Sequence, residues 1–417
     1  MDTSLLKCLR QVRAVCFAGM FCLAGFAQAP PPAPPVSDRL GAIPNLDARL
    51  IGVQKMLDAS SDQRSISATT ARFIVEFIKE AKENPTAFDA KPSGTPRMTR
   101  DPGAPPEKPS KKYADYIASR GATMDFAAQL QRAETLAAAV QAKRDPMAVV
   151  KGDALLAYRS DLDGMLMPYR VFIPSAYERT RKFPLAILLH GANSDENTLM
   201  NSGEVQRVAE RSGYIVAAVN GRGPFGGYRK DNGAEKDVFD VLALMQKYYN
   251  IDEHRIYLSG HSMGGMGTWR IGLEFRDRFA AIAPSAGTRD TAEQDAQLAS
   301  GRKIPILLSC GGQDTTVPCA AHVTVYKKLK DAGYPVKIVE YPEDTHWTVF
   351  ISAIPEMFAW FDRFRVRDGF NGLDLDEFGS AFLLGERERR QRHQSGDRHG
   401  GEVAGEISGG LLDGFHL

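Results

Sequence analysis

The hydrophobic residues of this chain follow two different patterns, one before and one after about residue 150. Before that point, apolar residues recur three or four positions apart, which is the spacing of one helix face. The clearest of these stripes are Leu46, Leu50, Val53 and Leu57, and Phe73, Ile74, Phe77, Ile78 and Ala81; Leu130, Leu136 and Val140 form a more modest one. The region 36–150 is therefore predicted to be helical, with a Pro-rich loop over 91–112, and its stripes are expected to form a core.

From about Tyr158 the pattern changes to short apolar runs, many of them β-branched, that alternate with helical stretches. The runs predicted to be strands are Tyr169–Ile173, Leu185–Leu189, Tyr214–Val219, Arg255–Leu258, Ala280–Ala283, Ile304–Leu308 and Val336–Tyr341. The stretches predicted to be helices are Thr198–Arg211, Ala234–Tyr249, Gly265–Phe275, Ala320–Ala332 and Thr348–Phe364. Apolar strands separated by helices are typical of a mostly parallel sheet covered on both faces, so an α/β domain is predicted over 151–366.

The N-terminus has a basic start, an apolar run over 14–26 and an A-x-A site at Ala27–Ala29. This three-part pattern is typical of a secretory signal peptide. We therefore predict that residues 1–29 are removed and that the mature protein is secreted or periplasmic; a retained anchor is the alternative. Residues 30–35, five of them proline, are predicted to form an extended spacer.

Composition narrows the classes of function further. The chain has 417 residues, with 52 basic and 51 acidic side chains, and this balance gives no reason to expect nucleic acid or an anionic membrane as a partner. Residues 367–417 are rich in glycine and charge and are predicted to be disordered. Their histidines, His393, His399 and His416, are too scattered to predict a metal site.

The strongest chemical signal is a G-x-S-x-G sequence at Gly260–Gly264, between a predicted strand and a predicted helix. This is the context of a nucleophile elbow, a sharp turn that exposes a serine hydroxyl above the end of a sheet. Glycine at both ends removes Cβ atoms that would collide across the turn. The following helix points its N-terminus at the serine, which favours developing negative charge. Ser262 is therefore the candidate nucleophile.

A serine hydroxyl needs a base, and the base needs an orienting acid. Asp314 follows the strand predicted at Ile304–Leu308, and His346 follows the last predicted strand. Ser262, Asp314 and His346 thus occur in the chain order expected for this arrangement. Asp344 and Glu343 are rival acids that lie too near His346 to reach its far nitrogen easily. The remaining candidates for the base are expected to be hydrogen-bonding or surface histidines: His190, His254, His261 and His322.

Two backbone N–H groups are expected to form the oxyanion hole. One belongs to Met263, directly after the nucleophile, and the other to Ala192, in the loop that follows Leu185–Leu189. Signal-peptide removal leaves Cys310 and Cys319 as the remaining cysteines, which are candidates for a disulfide in an oxidising compartment. Such a bridge would close the loop that carries Asp314 and, as a hypothesis, hold that acid in place.

The substrate surface is predicted to be open. About twenty residues separate the strands predicted at Ala280–Ala283 and Ile304–Leu308, which is too short for a long lid. Trp347, Phe225 and Tyr228 are candidate substrate-binding residues because aromatic rings there could stack on an aryl ester. For Trp347, packing into the core is an equally good interpretation. The sequence leaves the oligomeric state open.

Four segments together resemble secreted esterases of the α/β-hydrolase superfamily, of the polyhydroxybutyrate-depolymerase-like and feruloyl-esterase-like kind. These segments are Tyr169–Pro174, Leu188–Gly191, Asn250–Asp252 and Gly260–Gly265. The resemblance covers about residues 155–365 and implies an α/β-hydrolase fold. It also implies hydrolysis of carboxylic esters through an acyl-serine intermediate, without a cofactor. The connection that is too short for a long lid adds the expectation that the site is open to small-molecule or surface-presented esters. It gives Ser262, Asp314 and His346 the same roles as the residue pattern does.

Two other functions stay open at this stage. One is a serine peptidase of the prolyl-oligopeptidase-like type that lacks the β-propeller, since the helical region is too small to build one. The other is a non-catalytic binding protein on a hydrolase scaffold, because fold does not decide function. Polymer hydrolysis is in doubt, since no additional substrate-binding module is recognisable in the chain.

Overall fold

A computed structural model describes residues 34–89, 124–288, 292–299 and 301–366. The predicted signal peptide 1–29, most of the Pro-rich spacer, the loop 91–112 and the tail 367–417 lie outside the described residues. The helices are α1 (Val36–Gly41), α2 (Leu46–Ala59), α3 (Ile66–Glu83), α4 (Pro85–Asp89), α5 (Phe126–Gln141), α6 (Glu204–Ser212), α7 (Ala234–Tyr248), α8 (Met263–Glu274), α9 (Ala292–Ala299), α10 (Cys319–Asp331) and α11 (Val349–Phe361). The strands are β1 (Gly152–Arg159), β2 (Leu166–Ile173), β3 (Phe183–Leu189), β4 (Ile215–Val219), β5 (Ile251–His261), β6 (Ala281–Ser285), β7 (Ile306–Gly311) and β8 (Val336–Tyr341).

The eight strands form one sheet in the order β1-β2-β4-β3-β5-β6-β7-β8. Every strand of this sheet except β2 runs in the same direction, since β2 is antiparallel to both of its neighbours and the remaining pairs are parallel. The predicted α/β architecture is confirmed, and each predicted strand lies within or overlaps an observed one. The sequence pattern missed β1, which is apolar and buried mainly over Leu156–Tyr158 and therefore lacks a clear strand signature.

Two apolar cores lie on opposite faces of the sheet. Successive residues of β3 show this directly: Ile187 belongs to the core covered by α7 and α8, whereas Leu188 belongs to the core covered by α6 and α11. Side chains on a strand point alternately to the two faces, so a strand covered on both sides has to be apolar throughout. Every residue of β3 is buried, which explains why this strand was easy to predict.

The N-terminal helices share a third core that also contains Ala157 of β1 and Leu166 of β2. They cover the outer edge of the sheet with hydrogen bonds as well as with apolar contacts. The Oγ1 of Thr69 donates to the Ala157 carbonyl at 2.6 Å, and the Ala157 N–H donates to Thr70 Oγ1 at 3.0 Å. Arg132 of α5 donates to the Leu155 carbonyl at 2.6 Å. These contacts satisfy backbone groups that an edge strand otherwise leaves unpaired.

Within the portions of the chain that are described, none of the helices combines the length and the apolar character needed to cross a membrane.

Candidate active site

Ser262 lies in a sharp turn between the end of β5 and the start of α8. Its backbone has φ 54° and ψ −114°, a left-handed conformation that side-chain-bearing residues adopt at an energetic cost. The motif glycines make the turn possible: a Cβ at Gly260 would overlap the Gly264 carbonyl, and a Cβ at Gly264 would overlap the Leu189 carbonyl. The strand, turn and helix predicted for a nucleophile elbow are therefore present.

The structure brings Ser262, His346 and Asp314 together in one hydrogen-bonded chain. His346 Nε2 lies 2.8 Å from Ser262 Oγ, and His346 Nδ1 lies 2.8 Å from Asp314 Oδ2. A carboxylate only accepts hydrogen bonds, so the proton of a neutral His346 is on Nδ1 and the Nε2 lone pair faces the serine hydroxyl. This is the tautomer that a general base requires.

Asp314 is buried and its second carboxylate oxygen is also held. Its Oδ1 accepts the backbone N–H groups of Thr316 and Val317, both at 2.8 Å, which fixes the carboxylate plane. Among the described residues, the hydrogen bond that Asp344, the rival acid, makes to this loop is a backbone one, in which its carbonyl accepts the N–H of Gln313 at 2.9 Å. The geometry therefore favours Asp314 as the partner of the histidine.

The loop that carries Asp314 is closed by a disulfide between Cys310, near the end of β7, and Cys319, the first residue of α10. The Cα atoms are 5.1 Å apart and the two residues are nine positions apart in sequence. The bridge thus spans the base of the loop, as the hypothesis for these cysteines requires.

The loop after β3 lies beside the nucleophile. A Cβ at Gly191 would lie 3.5 Å from Ser262 Cβ, an ordinary contact distance, so this loop packs directly against the nucleophile. Met263 opens α8, and the first N–H groups of a helix have no intrahelical acceptor. Within the described ranges, no protein atom accepts the N–H of Ala192 or Met263. Both groups are therefore free to donate to an oxyanion, which is the role predicted for them.

Comparisons with known proteins point to hydrolases. Residues 165–350 match the dienelactone hydrolase family. A bifunctional acetylxylan esterase/xylanase from Neocallimastix patriciarum is 35% identical over 134 residues, which cover 31% of this chain and 19% of that protein. A human prolyl endopeptidase, FAP, is 27% identical over 118 residues, which cover 25% of this chain and 15% of that protein. The structure of a thermostable esterase aligns with 27% identity and a TM-score of 0.41, covering 51% of this chain and 63% of that one.

Residues 165–350 form an α/β-hydrolase domain. The predicted α/β-hydrolase fold is confirmed, and the family model that matches these residues is that of dienelactone hydrolase. The chain spans about a fifth of the length of the first of these curated relatives.

One predicted substrate-binding residue of the hydrolase domain is in the wrong place. Tyr228 is fully buried, and its hydroxyl accepts the backbone N–H of His190 at 2.8 Å. Its ring fills the space beside Gly221 and Gly267, where a Cβ would come within 3 Å of it. The prediction that Tyr228 contacts substrate is therefore wrong, because this tyrosine supports the loop that carries Ala192 from below.

The other two aromatic candidates, Trp347 and Phe225, are at least partly exposed to solvent. Trp347 is 65% exposed and stands edge-on to the His346 ring, with 5.3 Å between the ring centroids. The interpretation of Trp347 as a core residue is therefore wrong. Phe225 is half-buried. An exposed indole beside the general base is available to an incoming substrate, and its role in binding stays a prediction.

The remaining histidines of the hydrolase domain have separate environments. The ring nitrogens of His190 lie 2.7 Å from the Asn220 carbonyl and 2.8 Å from the Gly191 carbonyl. His254 lies in β5, near the strand end opposite Ser262. His322 is buried in α10, and burial lowers the pKa of its ring. The described residues contain no group of three or more histidine, cysteine or acidic side chains that could hold a metal.

His261 was expected to be an ordinary hydrogen-bonding or surface histidine, and its contact with the base was missed. Its Nε2 lies 2.6 Å from the backbone carbonyl of His346, and its ring is buried. The available signal was its place in the motif, because this residue directly precedes the nucleophile, which the base has to contact.

Proposed function

We propose that this protein is a serine ester hydrolase that cleaves carboxylic esters through an acyl-serine intermediate on Ser262. The supporting observation is the chain of two 2.8 Å contacts from Asp314 through His346 to Ser262, beside two backbone N–H groups that no atom of the described residues accepts. The residues proposed as nucleophile, base, orienting acid and oxyanion donors thus lie at one edge of the sheet.

The first half of the reaction forms the acyl-enzyme. His346 Nε2 takes the hydroxyl proton as Ser262 Oγ bonds to the ester carbonyl carbon, and the carbonyl electron pair moves onto oxygen. Asp314 stabilises the resulting imidazolium, and the N–H groups of Met263 and Ala192 bind the oxyanion. When the carbonyl re-forms, the ester C–O bond breaks and the leaving alcohol takes the proton from His346.

The second half releases the acid. Water loses a proton to His346 Nε2 as its oxygen attacks the acyl carbon, and a second oxyanion forms at the same two N–H groups. Collapse breaks the bond to Ser262 Oγ, which regains its proton from the imidazolium. The cycle balances with ester and water in and alcohol and acid out, so no redox partner is required.

The substrate class proposed is a small-molecule or surface-presented ester, as in polyhydroxybutyrate-depolymerase-like and feruloyl-esterase-like enzymes. Similarity to a protein named as an acetylxylan esterase supports ester chemistry. The exposed Trp347 beside the base supports binding of an aryl or other flat group. The N-terminal pattern supports action outside the cytoplasm, in the periplasm or medium.

A panel of aryl and alkyl esters tests the proposal, with the wild type compared with Ser262→Ala. The wild type is expected to turn over part of the panel and to be labelled by a fluorophosphonate probe at Ser262, whereas the alanine variant does neither. Equal turnover by the variant would show that another group performs the chemistry. A wild type that neither reacts with the probe nor cleaves any ester would favour the binding-protein alternative.

A second candidate is a serine peptidase, supported by the similarity to prolyl endopeptidase FAP. Matched ester and amide substrates at equal concentration are compared with the wild type and Ser262→Ala. Faster ester cleavage alone does not decide, because esters are intrinsically more reactive than amides. The decisive result is therefore detectable, Ser262-dependent cleavage of an internal peptide bond, which would favour the peptidase.

A further inference from the structure

His261 connects the turn that carries the nucleophile with the loop that carries the base. It is the last residue of β5, directly before Ser262. Its buried ring packs against the ring of His346, with 4.9 Å between centroids, and against Phe350 of α11 at 6.2 Å. Its Nε2 contacts the His346 backbone carbonyl at 2.6 Å. One side chain therefore spans the gap between β5 and the segment after β8.

The opposite side of the same ring faces the loop after β3. A Cβ at Gly191 would lie 3.1 Å from His261 Nδ1, which is tighter than ordinary packing. Gly191 precedes Ala192, one of the two candidate oxyanion donors. The imidazole of His261 thus lies between the loop that would bind the oxyanion and the loop that carries the base.

The protonation state of His261 follows from its partner. A backbone carbonyl only accepts hydrogen bonds, so Nε2 carries the hydrogen and donates it to the His346 carbonyl. Burial lowers the pKa of His261 to about 4, so the ring is neutral at neutral pH. It does not add a second positive charge beside the imidazolium that His346 forms during the reaction.

His346 lies between β8 and α11, outside regular structure. Residues before it are held by ordinary bonds, such as that from the Gln313 N–H to the Asp344 carbonyl at 2.9 Å, whereas the bonds to the Thr345 carbonyl from Thr348 and Val349 are long, at 3.4 and 3.3 Å. The 2.6 Å contact from His261 is shorter and is buried, where a hydrogen bond is stronger.

We infer that His261 is a positioning residue that fixes the backbone of His346 and thereby aligns its imidazole between Asp314 and Ser262. The inference rests on the proposed function, since it assigns the support of the proposed base. Misplacement of a reacting group by about 1 Å can cost on the order of 100-fold in rate. The effect is expected in kcat, because His261 acts on the reacting atoms through His346 and is not itself proposed to contact the substrate.

The test compares three variants with the wild type. His261→Leu removes the donor, and His261→Gln restores an N–H near the position of Nε2. His254→Leu removes a histidine near the opposite end of the same strand and serves as the control. We expect kcat to fall about 10- to 100-fold in His261→Leu with KM within about threefold, and to recover to within about fivefold in His261→Gln. His254→Leu is expected to match the wild type.

A measurement that does not need turnover makes the test independent of the ester assignment. The His346 Nδ1 proton, held by Asp314, is expected to give a far-downfield proton NMR signal in the wild type and in His261→Gln. We expect this signal to be lost or broadened in His261→Leu. If the wild type shows the signal but cleaves no ester, the proposed function fails while the positioning role remains testable.

The inference is overturned if His261→Leu keeps both the signal and kcat, or if His261→Gln loses as much as His261→Leu while both stay folded. Where His261→Leu does not fold, His261→Asn replaces it, because its shorter amide cannot reach the His346 carbonyl. Loss of signal in the asparagine variant but not in the glutamine variant supports the inference, and equal behaviour of the two contradicts it.

Discussion

Two edges of the sheet differ in whether their backbone polar groups have hydrogen-bond partners. At the outer edge of β1, side chains of the N-terminal helices bond the N–H and carbonyl of Ala157 and the carbonyl of Leu155. At the carboxyl edge, by contrast, the N–H groups of Ala192 and Met263 face no protein acceptor within the described residues. The first edge is closed, whereas the second keeps donors available for a charge that forms only during reaction.

The contrast implies that the residues that set the reaction rate and those that set the stability of the fold lie in different parts of the molecule. Substitutions at the carboxyl edge are expected to change the rate while the fold stays intact, because Ser262 and its partners are held by a scaffold built elsewhere. Substitutions at the edge of β1 are expected to change the stability while the rate stays intact.

The largest effect is expected for Asp314→Asn. An asparagine with its oxygen toward Thr316 and Val317 presents an N–H₂ group to His346 Nδ1, which stabilises the wrong tautomer of the base. We expect kcat to fall on the order of 10⁴-fold at neutral pH, with the unfolding midpoint in urea little changed.

Asp344→Asn is the matched control, since Asp344 is the neighbouring acid and meets the loop through its backbone. Its rate is expected to stay within about threefold of wild type, because its carboxylate is not part of the hydrogen-bonded chain of Ser262, His346 and Asp314. An equal loss of rate in both variants would return the acid assignment to Asp344.

The next effect is expected at the other edge. Thr69→Val combined with Thr70→Val keeps side-chain shape but removes the hydroxyls that bond the buried Ala157 backbone. Leaving two buried backbone groups unsatisfied is expected to lower the free energy of unfolding by about 2–5 kcal/mol, at unchanged kcat per folded molecule. Urea unfolding followed by circular dichroism measures the loss.

Thr135→Val is the control for that pair, because Thr135 lies on exposed α5 surface and its hydroxyl bonds only its own helix. Its stability is expected to change by less than about 0.5 kcal/mol. If the double variant loses activity but not stability, the helical region supports the site directly and the separation of the two edges is wrong.

A third prediction concerns Asp237, a buried carboxylate of α7 that joins the two regions. It accepts a hydrogen bond from Tyr158 of β1 at 3.1 Å and pairs with Arg222, in the loop after β4, at 3.0 Å. Burial nevertheless raises the pKa of Asp237 to about 6, although Arg222 and the bond from Tyr158 act in the opposite direction. Its second carboxylate oxygen has no hydrogen-bond partner among the described residues. The ionised form therefore costs stability in the folded state.

The sign follows from the two protonation states. Below about pH 4 the carboxyl is protonated whether the chain is folded or unfolded, so it contributes nothing. Between about pH 4 and 6 the unfolded chain ionises first, and stability falls as the pH rises; above about pH 6 the cost is full. Relative to Asp237→Asn, wild type is expected to lose up to about 3 kcal/mol from pH 4 to 7. Urea unfolding at four pH values measures this, and a pH-independent difference would contradict it.

How much of this was available from the sequence differs between the site and its supports. Ser262, Asp314 and His346 were predictable because each follows a strand of a parallel sheet, and the carboxyl ends of such strands meet at one edge. The elbow was predictable because the backbone crowding there requires glycine at 260 and 264. Local pattern and chain order were enough for these residues.

The supports depend on contacts between residues far apart in the chain, which no local pattern records. Tyr228 lies in a glycine-rich loop of the kind that usually stays at the surface, yet tertiary packing buries it. The contact from His261 to the His346 carbonyl spans 85 positions, and that from Thr69 to Ala157 spans 88. Aromatic and histidine side chains suit both core and site, so sequence type alone does not assign them.

The smallest effect is expected for Tyr228→Phe, which should change both the reaction rate and the stability of the fold. Tyr228→Phe removes the hydroxyl that accepts the His190 N–H and leaves that buried donor without this partner, two residues before Ala192. The variant is expected to lose about 1–2 kcal/mol of unfolding free energy and about tenfold in kcat, because the loop after β3 shifts. Tyr326→Phe, on the half-buried surface of α10, is the control and is expected to lose neither stability nor rate.

A loss of stability without a loss of rate would mean that the loop keeps its position through the bond from the Asn193 N–H to the Pro224 carbonyl. In that case the backbone of the loop alone holds the oxyanion donors in place. The reaction rate would then not depend on Tyr228, and the residues that set the rate would be more clearly separate from those that set the stability.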